Sequence, residues 1–165
     1  MRGEPRTEQL QIRVTPAEKA EIARAARRAG LGMSAYVLAK VLADPAAQWR
    51  ERLRELERSG EPRMALAGIS AWLARLGAGE MAGAVAESPP AGLSEFDANY
   101  VAAMVEQACA ERGVAAPRWT REIAPLERPV FASELASLRL HLLRHSPAPF
   151  RRRNLFVDST VGAQV

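Results

Sequence analysis

The sequence predicts a mainly α-helical protein in which one strand and two helices precede a longer helical region. Hydrophobic residues make up 48% of the 165 residues and aromatic residues only 5%, a balance that favours helices in an alanine-rich chain. Apolar residues recur at helical spacing through most of the chain, whereas the strict alternation typical of a strand occurs near its start. We therefore divide the chain into a small unit at 1–45, a connecting helix at 46–60 and a helical domain at 61–165.

The first strand is predicted just after residue 8, where apolar and polar side chains alternate. A period of two places the two sets on opposite faces, so one face is apolar and the other can form hydrogen bonds. The apolar set is Leu10, Ile12 and Val14, and the polar set is Gln9, Gln11 and Arg13. The alternative is an edge strand of a small α+β domain, with the polar set simply facing water.

Two helices follow this strand. Thr15 is a suitable N-cap, Pro16 is tolerated in the first turn, and Glu18 completes a capping box; Gly30 ends the helix. Ser34 is expected to cap the second helix, which runs to Asp44-Pro45.

The rest of the chain alternates between apolar helical patterns and proline- or glycine-rich stretches. A loop is predicted at Ser88-Pro89-Pro90, and an irregular connection around the later prolines. Helices are predicted at 46–58, 63–76, 96–112 and, capped by Ser133, up to Leu143; a turn at 146–149 precedes a short strand at 154–157.

The small N-terminal unit is expected to be a homodimer. One strand and two alanine-rich helices bury too little apolar surface to fold alone, and a lone strand leaves its backbone groups unpaired. Antiparallel pairing of two strands would turn the apolar faces onto the helices and project the polar faces as a ribbon. A two-stranded ribbon fits the DNA major groove, where arginine recognises guanine and glutamine recognises adenine.

The segment EQLQIRVTPAEKAEIARAARRAGLGMSAYVLAKVL resembles the ribbon-helix-helix family, which includes the Arc and methionine repressors. The resemblance covers residues 8–42. It implies an intertwined dimer in which the outward strand positions, here Gln9, Gln11 and Arg13, contact bases. The residues that open the second helix, here Met33 and Ser34, would contact DNA phosphates, as unpaired N–H groups at a helix start do.

A second resemblance concerns residues 138–158, which are similar to C-terminal domains of bacterial proteins encoded beside nucleotidyltransferase-like toxins. It implies an antitoxin that represses its own operator, with 61–165 binding a toxin or regulating the protein. The alternative is a plasmid-mobilisation accessory protein, which uses the same ribbon at a transfer origin and contacts a relaxase. Dimers that associate further are compatible with either role.

The net charge of +4 and the pI near 10 suit a nucleic-acid partner without proving one. Arg151, Arg152 and Arg153 form a candidate basic patch for phosphate or an acidic partner, and the alternative is a solvated turn. We expect a cytoplasmic protein because Cys109 is the only cysteine, the start is polar and no stretch is long enough to span a membrane.

No enzymatic activity, cofactor or metal is expected from this sequence, and no catalytic residue is assigned. His141 and His145 lie four residues apart, which would place both on one helix face, but no third metal ligand is near in sequence. Cys109 lies between alanines and lacks the neighbours of a nucleophilic cysteine. A small enzyme within 61–165 is the remaining alternative.

Overall fold

A computed structural model describes residues 11–41, 44–133 and 135–158 of the chain. These residues are mainly helical, as the sequence predicts. The chain divides into two compact units, Met1–Ala43 (unit 1) and Asp44–Val165 (unit 2). The predicted connecting helix forms, but it packs within unit 2.

The described part of unit 1 contains two helices, α1 (Pro16–Arg28) and α2 (Met33–Val41), packed against each other. The predicted start of α1 is confirmed. The Thr15 N–H donates to Glu18 Oε2 at 2.7 Å, and the Glu18 N–H donates to Thr15 Oγ1 at 3.3 Å. Gly30 has a φ of 66°; its N–H donates to the Arg27 carbonyl while the next N–H reaches Ala26. This is a Schellman ending, in which glycine avoids the strain of a left-handed residue.

The start of α2 lies two residues before the predicted one. The first intrahelical hydrogen bond runs from the Tyr36 N–H to the Gly32 carbonyl, at 2.8 Å. Gly32 therefore takes the N-cap position, and the expectation that Ser34 caps this helix is wrong. Ser34 lies in the first turn because the helix begins at Met33.

The predicted ribbon strand falls only partly within the described residues. Gln9 and Leu10 lie outside them, and residues 11–14 form no strand within a single chain. The strand prediction requires a second copy of the chain, because a ribbon strand receives its hydrogen bonds from a partner strand.

Unit 2 contains seven helices and a two-stranded sheet among its described residues. They are α3 (Pro45–Arg58), α4 (Pro62–Arg75), α5 (Ala78–Ala84), α6 (Glu95–Glu111), α7 (Trp119–Glu122), β1 (Val130–Phe131), α8 (Ala136–His145), α9 (Ala148–Arg151) and β2 (Leu155–Phe156). Helix α6 is central, because it packs against α4, α5, α7 and α9.

Three stacked tryptophans form the middle of the unit 2 core. The Trp49 ring lies 5.8 Å from that of Trp72 and 6.4 Å from that of Trp119, measured between centroids. Each indole N–H is satisfied: Trp49 donates to the Glu87 carbonyl, Trp119 to the Val85 carbonyl and Trp72 to a glutamine side chain. Since buried indole N–H groups need partners, these bonds fix the stack in one arrangement.

The two strands pair in parallel at the C-terminal end of unit 2, with Val130 opposite Leu155 and Phe131 opposite Phe156. The rings of Phe131 and Phe156 stack with their centroids 4.8 Å apart. The strand at Leu155–Phe156 lies inside the range predicted from sequence, whereas its partner β1 falls in the stretch predicted as irregular.

Four helical segments of unit 2 differ from the sequence predictions. Helix α5 forms in the glycine-rich stretch, where Glu80 accepts the Gly77 N–H and Met81 is buried. Helices α7 and α9 replace parts of the predicted connection and turn. Helix α8 begins at Ala136 with Leu135 at the N-cap position, so the expectation that Ser133 caps it is wrong; the Ser133 hydroxyl instead accepts the Leu135 N–H.

Candidate nucleic-acid interface

The positive charge of the chain is concentrated in unit 1. Residues 1–43 contain eight basic and four acidic residues, a net charge of +4, whereas residues 44–165 contain fifteen of each. Unit 1 therefore carries the entire excess charge of the protein. Because phosphate neutralisation supplies much of the affinity for DNA, unit 1 is the better candidate for a nucleic-acid interface.

The predicted base-contact residues lie just before α1. Gln11 and Arg13 are exposed, and Gln9 lies outside the described residues. The alternating apolar residues Ile12 and Val14 are 58% and 43% exposed. Of the two sets, the described members Gln11 and Arg13 are thus available to a ligand, and Ile12 and Val14 have no covering layer among the described residues of a single chain.

The described residues of unit 1 form almost no core of their own. Ala26 is the one buried residue among its described side chains, while Leu31 and Met33 are 43% and 40% exposed. A groove of about 490 Å³ lies between α1 and α2, with Ile22 and Tyr36 in its wall. So little burial among the described residues does not offset the entropy of ordering a chain, which agrees with the expectation that unit 1 needs a second copy to complete its core.

The predicted phosphate-contact residues open α2. Met33 and Ser34 are exposed, and they occupy the first two positions of the helix. With Gly32 as the N-cap, their N–H groups have no intrahelical acceptor, as at every helix start. The backbone donors expected to meet a phosphate are therefore present, although Ser34 does not cap the helix.

The candidate basic patch at residues 151–153 divides into two parts. Arg151 and Arg152 are exposed, whereas the Arg153 side chain is only 6% exposed. Its guanidinium lies 2.7 Å from Glu106 Oε1 and also donates to Asn99 Oδ1 and to the carbonyls of Thr120 and Ile123. Arg153 is a core residue, so the interpretation as a surface patch does not extend to it.

The network around Arg153 was not predicted from sequence. Glu106 lies 47 residues before Arg153 and Asn99 lies 54 residues before it. Asn99 is 2% exposed and its amide also donates to the Glu95 and Ala124 carbonyls. The sequence signal was that Asn99 and Glu106 are polar residues of α6, a helix with a long apolar face, and polar residues by themselves name no partner.

The residues considered for enzyme chemistry form no assembled site in the described ranges. The rings of His141 and His145 stack at 4.2 Å on α8. Cys109 is buried, and burial raises the pKa of its thiol. In the part of the chain that is described, no three His, Cys, Asp or Glu side chains are grouped to hold a metal ion.

The comparisons with known proteins bear on the N-terminal third of the chain. Residues 4–60 match the family model of NikA-like proteins, described as mobilization protein NikA. The match supports, at a coarse level, a ribbon-helix-helix type of family for this segment. No curated protein and no solved structure matches the chain.

The NikA-like match runs beyond unit 1, because it includes α3. It ends before α4, so most of unit 2 lies outside it. The helices in the described ranges do not combine the length and apolar character that a membrane crossing would need.

Proposed function

We propose that this chain is an accessory DNA-binding protein of plasmid mobilisation, acting as a homodimer on double-stranded DNA at a transfer origin. The observation that carries the proposal is the match of residues 4–60 to mobilization protein NikA. The location of the whole net charge in unit 1 supports the DNA-binding part of this assignment. The antitoxin role expected from residues 138–158 has no such support, and mobilisation is therefore the preferred role.

In the proposed complex, two copies pair their strands and lay the ribbon in the major groove. Arg13 donates two hydrogen bonds to guanine, and Gln9 and Gln11 contact adenine edges. The backbone at Met33 and Ser34 contacts a phosphate and fixes the register of the ribbon without recognising sequence. The exposed Ile12 and Val14 become the core of the dimer.

DNA binding is tested with the full-length protein and a sequence obtained by selection from random double-stranded oligonucleotides. Fluorescence anisotropy then gives the affinity of Arg13→Ala, which we expect to fall by roughly five- to 150-fold for each base pair that loses a bidentate contact. Arg121→Ala is the matched control, because Arg121 is an exposed arginine of unit 2. Unchanged binding by Arg13→Ala would show that the ribbon does not recognise DNA.

The biological role is tested by plasmid transfer. Deletion of the gene or the Arg13→Ala substitution should lower the transfer frequency of a plasmid that carries the cognate origin, while cell growth continues. An antitoxin gives the opposite pattern, since its deletion arrests growth and leaves transfer unaffected. Growth arrest with normal transfer would therefore overturn the mobilisation role and leave the DNA-binding mechanism standing.

A further inference from the structure

Helix α8 exposes more leucine side chains than is usual for a helix on the surface of a protein. Leu142 packs into unit 2 and is 4% exposed, but Leu138, Leu140 and Leu143 are 43%, 58% and 43% exposed. Three of the four leucines in a ten-residue helix thus face outward. A helix that is apolar on several sides is normally covered on each of them.

Part of this surface forms a stripe on the face away from Leu142. Ala136, Leu140 and Leu143 are separated by four and then three residues, which places them above one another on one side of the helix. All three are exposed. We name this set the α8 stripe; its spacing is that of the anchors by which one amphipathic helix docks against another.

The charges beside the α8 stripe are positive. Arg139 lies four residues before Leu143 and Arg144 lies four residues after Leu140, so each arginine neighbours a stripe leucine. No aspartate or glutamate occurs within α8. Flanking charges of one sign select partners of the opposite sign and discourage pairing of two identical helices.

We propose that the α8 stripe binds an acidic amphipathic helix of another protein. Leucines of the partner helix would pack against Leu140 and Leu143, and carboxylates of the partner helix would lie beside Arg139 and Arg144. A second copy of α8 is the less suitable occupant, because its own arginines would meet these arginines across the contact. The site belongs to unit 2 and does not depend on the DNA-binding proposal.

The test uses two synthetic helical peptides, each about four turns long. Both repeat leucine at the spacing of the stripe; one carries glutamates beside the leucines and the other carries lysines. Anisotropy with the full-length protein should show that the glutamate peptide binds at least about tenfold more tightly. Equal binding of the two peptides, or no binding of either, would overturn the proposal.

Variants locate the contact and separate it from misfolding. Leu140→Glu/Leu143→Glu should abolish binding of the glutamate peptide, whereas Met64→Glu, at a 68% exposed position of α4, should leave it unchanged. Arg144→Glu should shift the preference toward the lysine peptide. Arg144 is chosen over Arg139, whose guanidinium lies over the Phe131 ring at 5.4 Å. Tryptophan fluorescence verifies that each variant keeps the core of unit 2.

Sedimentation equilibrium, which measures the mass of the assembly, tests whether a second copy of the chain occupies the α8 stripe. If the α8 stripe were an interface between two copies of this chain, Leu140→Glu/Leu143→Glu would lower the mass of the assembly, and that result would overturn the proposal. An unchanged assembly mass together with lost peptide binding is the result expected here.

Discussion

The ion pair between Glu106 and Arg153 should contribute strongly to the stability of unit 2. The two side chains are 13% and 6% exposed and meet at 2.7 Å. Glu106→Gln removes the negative charge and leaves a buried guanidinium, a change that generally costs about 3–5 kcal/mol. We expect about 3 kcal/mol, at the low end, because Asn99 and two carbonyls continue to accept from Arg153.

Arg152→Met is the matched control for this substitution. Arg152 lies 3.5 Å from the same carboxylate, but its side chain is 70% exposed, so its loss should cost less than about 1 kcal/mol. In the double variant Glu106→Gln/Arg153→Met both charges are absent, and the cost should be smaller than the sum of the single changes.

Urea denaturation followed by tryptophan fluorescence measures these differences. All three tryptophans belong to unit 2, so the signal reports that unit without interference from unit 1. A loss of about 3 kcal/mol corresponds to a midpoint lower by about 1–3 M urea. If Glu106→Gln and Arg152→Met lowered the midpoint equally, the buried ion pair would not hold this part of the fold, and Arg153 would again be a candidate for the surface patch.

Three further predictions concern a helix cap, a thiol and a helix end. The backbone N–H and the hydroxyl of Thr15 donate to Glu18 and lower the pKa of that carboxyl; the stabilisation is therefore present above the ordinary pKa and lost as the pH falls through the lowered one. The backbone N–H is the larger cause and remains in Thr15→Ala, so loss of the hydroxyl should raise the Glu18 pKa, measured by NMR, only part of the way toward its ordinary value. A pKa that stays unchanged would show that the hydroxyl contributes nothing to this cap. Cys109 should react with iodoacetamide far more slowly in the native protein than in urea, because burial raises the pKa of its thiol and covers the sulfur; equal rates would contradict its placement in the core. Arg112 donates to the carbonyls of Leu73, Ala74 and Leu76 at the end of α4. Arg112→Met should therefore cost about 2–3 kcal/mol by urea denaturation, whereas a loss below that of Arg152→Met would mean that these carbonyls do not need the arginine.

Features determined by neighbouring residues were predictable from the sequence. The capping box at Thr15 and Glu18 and the glycine ending at Gly30 involve residues a few positions apart, so their chemistry can be recognised in the letters alone. The start of α2 shows the limit of this approach. Ser34 is a favourable N-cap residue, but glycine is also accepted at that position, and in this chain Gly32 is the N-cap of α2.

Features that depend on distant residues were not predictable. Helix α5 contains glycines that disfavour a helix, and it forms where Met81 and Ala84 are buried beside α3 and α6. Strand β1 forms because it pairs with β2, which follows it in the chain after helices α8 and α9. The run of three arginines could not be divided into exposed and buried members, since the carboxylate that holds Arg153 is contributed by α6.

The arginines of the two units differ in how firmly they are held by ion pairs and hydrogen bonds within the fold. In unit 2 several arginines are engaged within the fold: Arg50 pairs with Asp44 and Glu87, Arg112 caps α4, and Arg153 binds Glu106. Acidic residues balance the basic ones there, so little net field remains to attract phosphate. Among the described residues of unit 1 the one ion pair joins Arg24 and Glu21 at 3.9 Å, with both side chains at least 60% exposed. Such a pair is weak, so the described cations of unit 1 are engaged less firmly within the fold than those of unit 2. This physical difference favours unit 1 as the DNA-binding part of the proposed function, and unit 2 for contacts in which local charge and apolar shape decide, as proposed for the α8 stripe.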